Sequence, residues 1–268
     1  MSRRGNSGSS SPSHFLGGAS RANPTARRVN FPQTGARNFA AKFRSPNLTA
    51  AAPRPSKGQI GNPAVITIQQ CAESPITLGL IQGEAELVDS ARQTITPEGL
   101  LRAARLHKVA RQFPKRHGRE RARDFEPIVR PLRQALDELS RDNLAARVEE
   151  LAEEMARIPG LVRSKRGDRE SAHLLSAASK FVWIGAPEIA IVYERWSAVT
   201  LRKLGYNVPT LDYGAFVGAH AVELAKHDAD LDSAAATLIR AHPNLSEFGW
   251  LKTRLFDLWL YANGKPLA

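Results

Sequence analysis

An all-α fold, an irregular bundle of about eight helices behind a basic N-terminal tail, is predicted by three features of this 268-residue sequence. Apolar residues between 78 and 262 recur at steps of three and four, as one face of a helix requires. Helix boundary signals such as Thr96-Pro97 and Asn263-Gly264 punctuate that stretch. Strand signals are almost absent. The β-branched run at 63–68, Pro-Ala-Val-Ile-Thr-Ile, reads either as a short strand or as a lead-in.

Charge divides the chain in two. The first sixty residues hold ten Arg or Lys and no Asp or Glu, so most of the net charge of +12 sits there. Rich in Ser, Gly, Asn and Pro, 1–62 buries too little surface to offset its ordering entropy and is expected to be disordered. A solvated tail, an arm that neutralises phosphates or another acidic partner, and an organelle transit peptide all fit that composition. Lack of an amphipathic helix counts against the last. Residues 63–268 form the helical domain, with a candidate subdivision near 160 at Pro159-Gly160. Cys71 is the single cysteine, which excludes an intrachain disulfide. No apolar run approaches the roughly 20 residues a membrane span needs. A soluble, cytoplasmic protein is expected.

Leu78, Leu80, Ile81, Leu87, Val88 and Ala91 outline a first helix, with Gly79 and Gly83 as interruptions. Thr96 is an N-cap with proline at the first helical position, opening a helix whose inner face is Leu106, Val109, Ala110 and Phe113. Its outer face carries Arg102 and Arg105, and the loop beyond carries Lys115, Arg116 and Arg119. A third helix ends near Ser140, and Asp142 or Asn143 caps a fourth with Leu144, Val148, Leu151 and Met155 inside. Its glutamates, 149, 150, 153 and 154, are a solvated face with no metal-ligand spacing to His. A second basic loop, with Arg163, Lys165 and Arg166, precedes the stretch 171–205. Solvated helix surface is one reading of these arginines and lysines. A ridge that holds a nucleic-acid backbone is the other. Three further helices follow 205, the last of them (246–262) apolar nearly all round and so expected inside.

The stretch SAHLLSAASKFVWIGAPEIAIVYERWSAVTLRKLG, 171–205, gathers the densest set of reactive groups. It reads as a helix, a turn at Gly185-Ala186-Pro187, an extended apolar hop, and a second helix opened by Glu194. His173, Ser176, Lys180 and Trp183 share a face at steps of three or four. A second helix folding back on the first brings Lys180 and Glu194 into one cleft. A lysine that sheds its proton attacks an electrophilic carbon, and a neighbouring carboxylate takes or gives that proton. Trp183, Tyr193 and Trp196 fit either the core or a stacking role against an extruded base. The bland alternatives are a lysine snorkelling to the surface and a glutamate favouring a helix N-terminus. No Gly-rich phosphate loop, C-x-x-C or H-E-x-x-H occurs, so neither a metal nor another cofactor is expected.

Ser179-Lys180-Phe181-Val182-Trp183, then Pro187, then Ile191-Val192-Tyr193-Glu194-Arg195, resembles S-K-x-L-W/H-F…P…I-Y-D-S-R-V. That motif belongs to bacterial helical proteins, often encoded near defence or mobile elements, that look like remote relatives of helix-hairpin-helix DNA glycosylases. Arg254-Leu255-Phe256-Asp257-Leu258-Trp259 is similar to the family's closing R-x-L-D-x-x-L-W. The resemblance implies a DNA-associated protein in which Lys180 is the nucleophile toward the sugar C1′ and Glu194 the assisting acid. Substrate contacts are expected from His173, Ser176, Trp183, Tyr193 and Arg195, which lie on the same face as Lys180 or beside Glu194. Glu stands where the family has Asp, and Ala177-Ala178-Ser179 where the glycosylase hairpin has Gly-x-Gly. A non-enzymatic interaction module, its basic tail on an acidic partner, is the competing expectation.

Overall fold

The structure, a computed structural model, describes residues 65–113, 120–161 and 170–266. Among these residues there are eleven α-helices and no strand. In chain order they are α1 (Ile68–Ala72), α2 (Pro75–Gln93), α3 (Pro97–Leu106), α4 (Glu120–Arg123), α5 (Glu126–Asp137) and α6 (Leu144–Arg157). Then come α7 (Glu170–Gly185), α8 (Arg195–Lys203), α9 (Tyr213–Lys226), α10 (Asp228–Ala241) and α11 (Leu251–Gly264). Helices α1 and α4, five and four residues long, are too short to carry a periodic signal. None of the described helices is long and apolar enough to cross a membrane. The basic tail expected at 1–62 lies outside the described residues, as do Lys115, Arg116, Arg119, Arg163, Lys165 and Arg166.

Of the two readings of 63–68, the described part is a lead-in. Thr67 caps α1 in a reciprocal capping box with Gln70. Ile66 is pinned to the far end of the chain: its carbonyl accepts from Trp259 Nε1 at 2.7 Å, and its N–H donates to Asn263 Oδ1 at 2.9 Å. Gly79 and Gly83 do not interrupt α2, which runs 19 residues unbroken. Thr96 caps α3 as its sequence signal implies, but α3 stops at Leu106 instead of continuing to Phe113. Lys108 there adopts a left-handed φ of 58°, after which a 3₁₀ turn carries the apolar face onward. The helix ending near Ser140 is likewise split, with Phe125 standing between α4 and α5.

Helix α7 occupies the middle. It packs against α6, α2, α3 and α5, so its residues from Leu174 to Ile184 are buried apart from half-buried Ser176. Over 174–184 a helix surrounded this way offers no fully solvated side chain, and its polar groups depend on internal partners. The most extensive contact joins α8 to α11. Small and hydroxyl side chains permit it: Thr200 Oγ1 donates to the Leu260 carbonyl at 2.7 Å, and Ser197 Oγ reaches the Asp257 carbonyl at 3.5 Å. At Gly264 the two backbones come so close that a Cβ would sit 1.8 Å from the Trp196 carbonyl oxygen.

That approach yields a contrast between two glycines. Gly264→Ala forces α8 and α11 apart and lowers stability by about 1–3 kcal/mol. Gly79 lies exposed within α2, where a Cβ meets nothing within 4 Å. Gly79→Ala therefore gains about 0.5–1 kcal/mol. Urea unfolding of both variants reads the difference, and equal midpoints would contradict the close approach.

Candidate functional site

Between α7 and α8 the chain leaves helical conformation at 190–193, yet this segment is buried. Buried backbone polar groups outside a helix must still be paired, here by the Ala186 carbonyl, which accepts the Ala190 N–H at 2.9 Å, and by side chains. Tyr213, at the start of α9, donates its hydroxyl to the Ile191 carbonyl at 2.6 Å and accepts the Ile191 N–H at 3.3 Å. Ser179 Oγ accepts the Tyr193 N–H at 3.0 Å and donates to the Ser176 carbonyl at 3.2 Å. These bonds draw the segment back along the last turns of α7 and deliver Glu194 to Lys180. Helix α8 then departs to pack on α11 and α9. The juxtaposition thus comes from the linker's course, not from α8 folding back along α7.

Lys180 is 1% exposed. Its Nζ lies 2.5 Å from Glu194 Oε1, 3.0 Å from Ser176 Oγ and 3.5 Å from the His107 carbonyl oxygen. His107 is the C-cap of α3, so the negative end of that helix also faces the ammonium. Glu194 is the N-cap of α8, at the positive end of a second helix. It makes no side-chain capping bond, its carboxylate being turned to Lys180 instead. With 28% of its side chain exposed, Glu194 is the member of the pair that meets solvent.

Behind Lys180 lies a row of buried charge. Arg254, on α11, grips Glu84, on α2, through a two-pronged contact: Nε to Oε2 at 2.9 Å and NH2 to Oε1 at 2.6 Å. Both residues are buried, with side chains 4% and 0% exposed. Arg254 NH1 also reaches Asp257 Oδ2 at 3.5 Å, and Asp257 Oδ1 lies 2.7 Å from His220 Nε2 on α9. On the other side, His107 Nδ1 lies 3.6 Å from Glu84 Oε1. Burial pushes the Glu84 carboxyl up, while the charge and hydrogen bonds of Arg254 pull it back. Arg254 remains above its ordinary range despite burial, because Glu84 and then Asp257 hold its charge. Two engaged oxygens are the geometry of a carboxylate, so the pair is ionic. Burial, followed by the positive charges of Arg254 and Lys180, holds the His107 imidazole well below its usual 6.5, and it is neutral.

The residues expected around the centre fall in three groups. Ser176, Lys180 and Glu194 touch one another directly. Trp183 and Tyr193, 0% and 5% exposed, are core side chains with no free face for a base. Trp183 packs edge-on against Trp250 at 5.2 Å and beneath the Arg254 guanidinium at 5.4 Å. Arg195 is exposed and lies over the Trp196 ring at 5.2 Å. His173 belongs to α7, but its side chain is outside the described set. Arg102 and Arg105 are exposed, the first paired with Glu86 at 3.1 Å.

Glu84, His107, His220, Arg254 and Asp257 are the residues that sequence reasoning missed as site members. A signal existed for three of them. Glu84 sits on the apolar face of α2 with Ile81, Leu87 and Val88, and Arg254 and Asp257 interrupt a helix otherwise apolar nearly all round. Charged residues on a buried face imply internal partners. Among the described residues, no three His, Cys, Asp or Glu side chains are grouped as metal ligands.

The His107 environment sets a pH dependence. Its folded value lies below its unfolded one, so its contribution to stability is complete above about pH 6.5 and is lost as pH falls. His107→Gln keeps the carbonyl on Lys180 and removes the titration. The variant should show a flatter loss of stability between about pH 7 and pH 5, by up to about 1.4 kcal/mol per unit. Glu84, raised by burial, acts in the opposite sense, so the reading is the difference between variant and parent in urea unfolding. Parallel curves would contradict it.

Compared with known proteins, no family model matches this chain, and no curated protein or solved structure matches it.

Proposed function

We propose that this protein associates with nucleic acid, DNA in the first place, and that Lys180 and Glu194 form its reactive centre on an irregular, glycosylase-like helical bundle in the cytoplasm. The observation behind this reading is the 2.5 Å contact between a lysine closed off from water and a glutamate that reaches it. In a dry site an amine gives up its proton to a touching carboxylate more readily than in water, and the carboxylate can pass it to solvent. The amine then attacks the sugar C1′. A bond forms from Nζ to C1′ and the glycosidic bond breaks, with the base as leaving group. Opening of the sugar ring gives a Schiff base; at an abasic site the same amine condenses with the C1′ aldehyde and releases water.

Exposed Arg105, Arg123 and Arg130, together with the basic runs at 114–119 and 162–169 and the basic tail, supply charge of the right sign for the phosphate backbone. Their role is positioning, not readout. Within the ridge, Arg121 and Arg133 instead donate to the Ala110 and Ile95 carbonyls, at 3.1 and 2.8 Å.

A second reading is favoured by the 1% exposure of Lys180. The pair is then part of the buried scaffold of a non-enzymatic interaction module whose basic tail holds an acidic partner.

Borohydride trapping on duplexes carrying an abasic site or a modified base separates the two. The enzyme reading expects a covalent protein–DNA adduct, its loss in Lys180→Ala, and at least about a tenfold lower yield in Glu194→Gln. A folded parent protein that traps on none of these duplexes would contradict it and favour the module.

A further inference from the structure

Ser179 and Lys180 are neighbours in the chain, as are Tyr193 and Glu194. The single bond from the Tyr193 N–H to Ser179 Oγ therefore joins the residue before the amine to the residue before the acid, at 3.0 Å. Two residues upstream, both polar groups of the Ile191 backbone end on the Tyr213 hydroxyl. Ser179 and Tyr213 are each 0% exposed. Water is thus not at hand to replace either hydroxyl, and the 190–193 segment, outside any helix, is otherwise tied by the Ala190 N–H to the Ala186 carbonyl at 2.9 Å and by the Tyr193 hydroxyl, which accepts the Leu211 N–H at 3.3 Å. Reach matters as much as contact here. A carboxylate held at 2.5 Å from a buried ammonium loses most of its effect if the backbone carrying it drifts by an ångström.

We infer that Ser179 and Tyr213 are positioning residues for the Lys180–Glu194 pair, an inference that rests on reading that pair as the functional centre. The two hydroxyls act through the backbone, from α7 and α9, and not on the reacting atoms. Together they make the separation of amine and acid a property of the fold and not of side-chain rotamers. Loss of either hydroxyl leaves a buried backbone group unpaired, which loosens 190–193 and lets Glu194 move outward to solvent.

A purely structural role would cost stability without touching the pair, so the test reads the pair itself. A double-mutant cycle of Lys180→Met and Glu194→Gln, measured by urea unfolding, gives their interaction energy. It is repeated in Ser179→Ala, in Tyr213→Phe, and in Tyr206→Phe, which removes a comparable hydroxyl bonded to Glu223 at 2.7 Å on another part of the molecule. The interaction should fall by about half or more in the first two backgrounds and stay unchanged in the third. Equal interaction in all three overturns the inference. Should Lys180→Met not fold, hydrogen exchange decides on the folded single variants. Faster exchange confined to 190–195 in Ser179→Ala supports positioning, and exchange unchanged there overturns it. Neither readout depends on activity. Absence of borohydride trapping with the interaction lost as expected would therefore remove the enzyme reading and leave the positioning intact.

Discussion

Arg254 and Glu84 meet across 170 residues of sequence, in a place where neither charge has water to fall back on. Taking two such ions out of solvent is costly, and only close geometry with every donor and acceptor engaged offsets it. The pair is therefore less a source of stability than a constraint. With α11 displaced by an ångström, or α2 turned by a few degrees, a full charge would stand unpaired in the interior. Arg254 further reaches Asp257, which faces His220, and Glu84 faces His107. Helices α2, α9 and α11 and the end of α3 are thereby fixed around one row of polar groups in an otherwise apolar interior. Such a row favours one arrangement of helices over the many others that apolar surface alone would accept.

The position of Lys180 follows from that row. Its ammonium rests on the carbonyl of His107, the same residue whose ring faces Glu84. On its other side stands Glu194, held by backbone bonds to Ser179 and Tyr213. The lysine thus sits where two helix ends of opposite polarity converge, with the carboxylate as its outlet to solvent. A reactive centre and a structural ion pair need the same ingredients here, and burial makes each effective. Enzymes place perturbed ionisable groups in clefts for this reason, and scaffolds place them in cores.

Local features were legible in the sequence wherever the signal itself was local. Thr96 ahead of Pro97 marked the start of α3, because its side chain accepts the Gly99 N–H three residues on, and Glu194 marked the start of α8 although its side chain makes no capping bond there. The Lys180–Glu194 proximity was within reach because only one turn and one short segment separate the two helices. Gly79 and Gly83 misled, since a glycine costs a helix only about 1 kcal/mol and the burial of Ile81, Leu87 and Val88 outweighs it. The end of α3 was missed because Lys108, not a glycine, takes the left-handed turn. Most of the polar row was beyond reach for a different reason. Glu84, His107, His220 and Arg254 lie far apart in the chain, and nothing short-range in the string says that they converge. The buried faces of α2 and α11 showed only that each charge would need a partner.

The Arg254–Glu84 pair is a constraint that the interior cannot relax. The most direct measurement compares Arg254→Met, Glu84→Leu and the two together by urea unfolding. Each single change strands its partner's charge in the interior and should cost about 3–5 kcal/mol. The double change strands neither, and should cost well below the sum of the two. Small single losses that simply add in the double variant would contradict it, and would show that the row of charges lies on the fold without organising it.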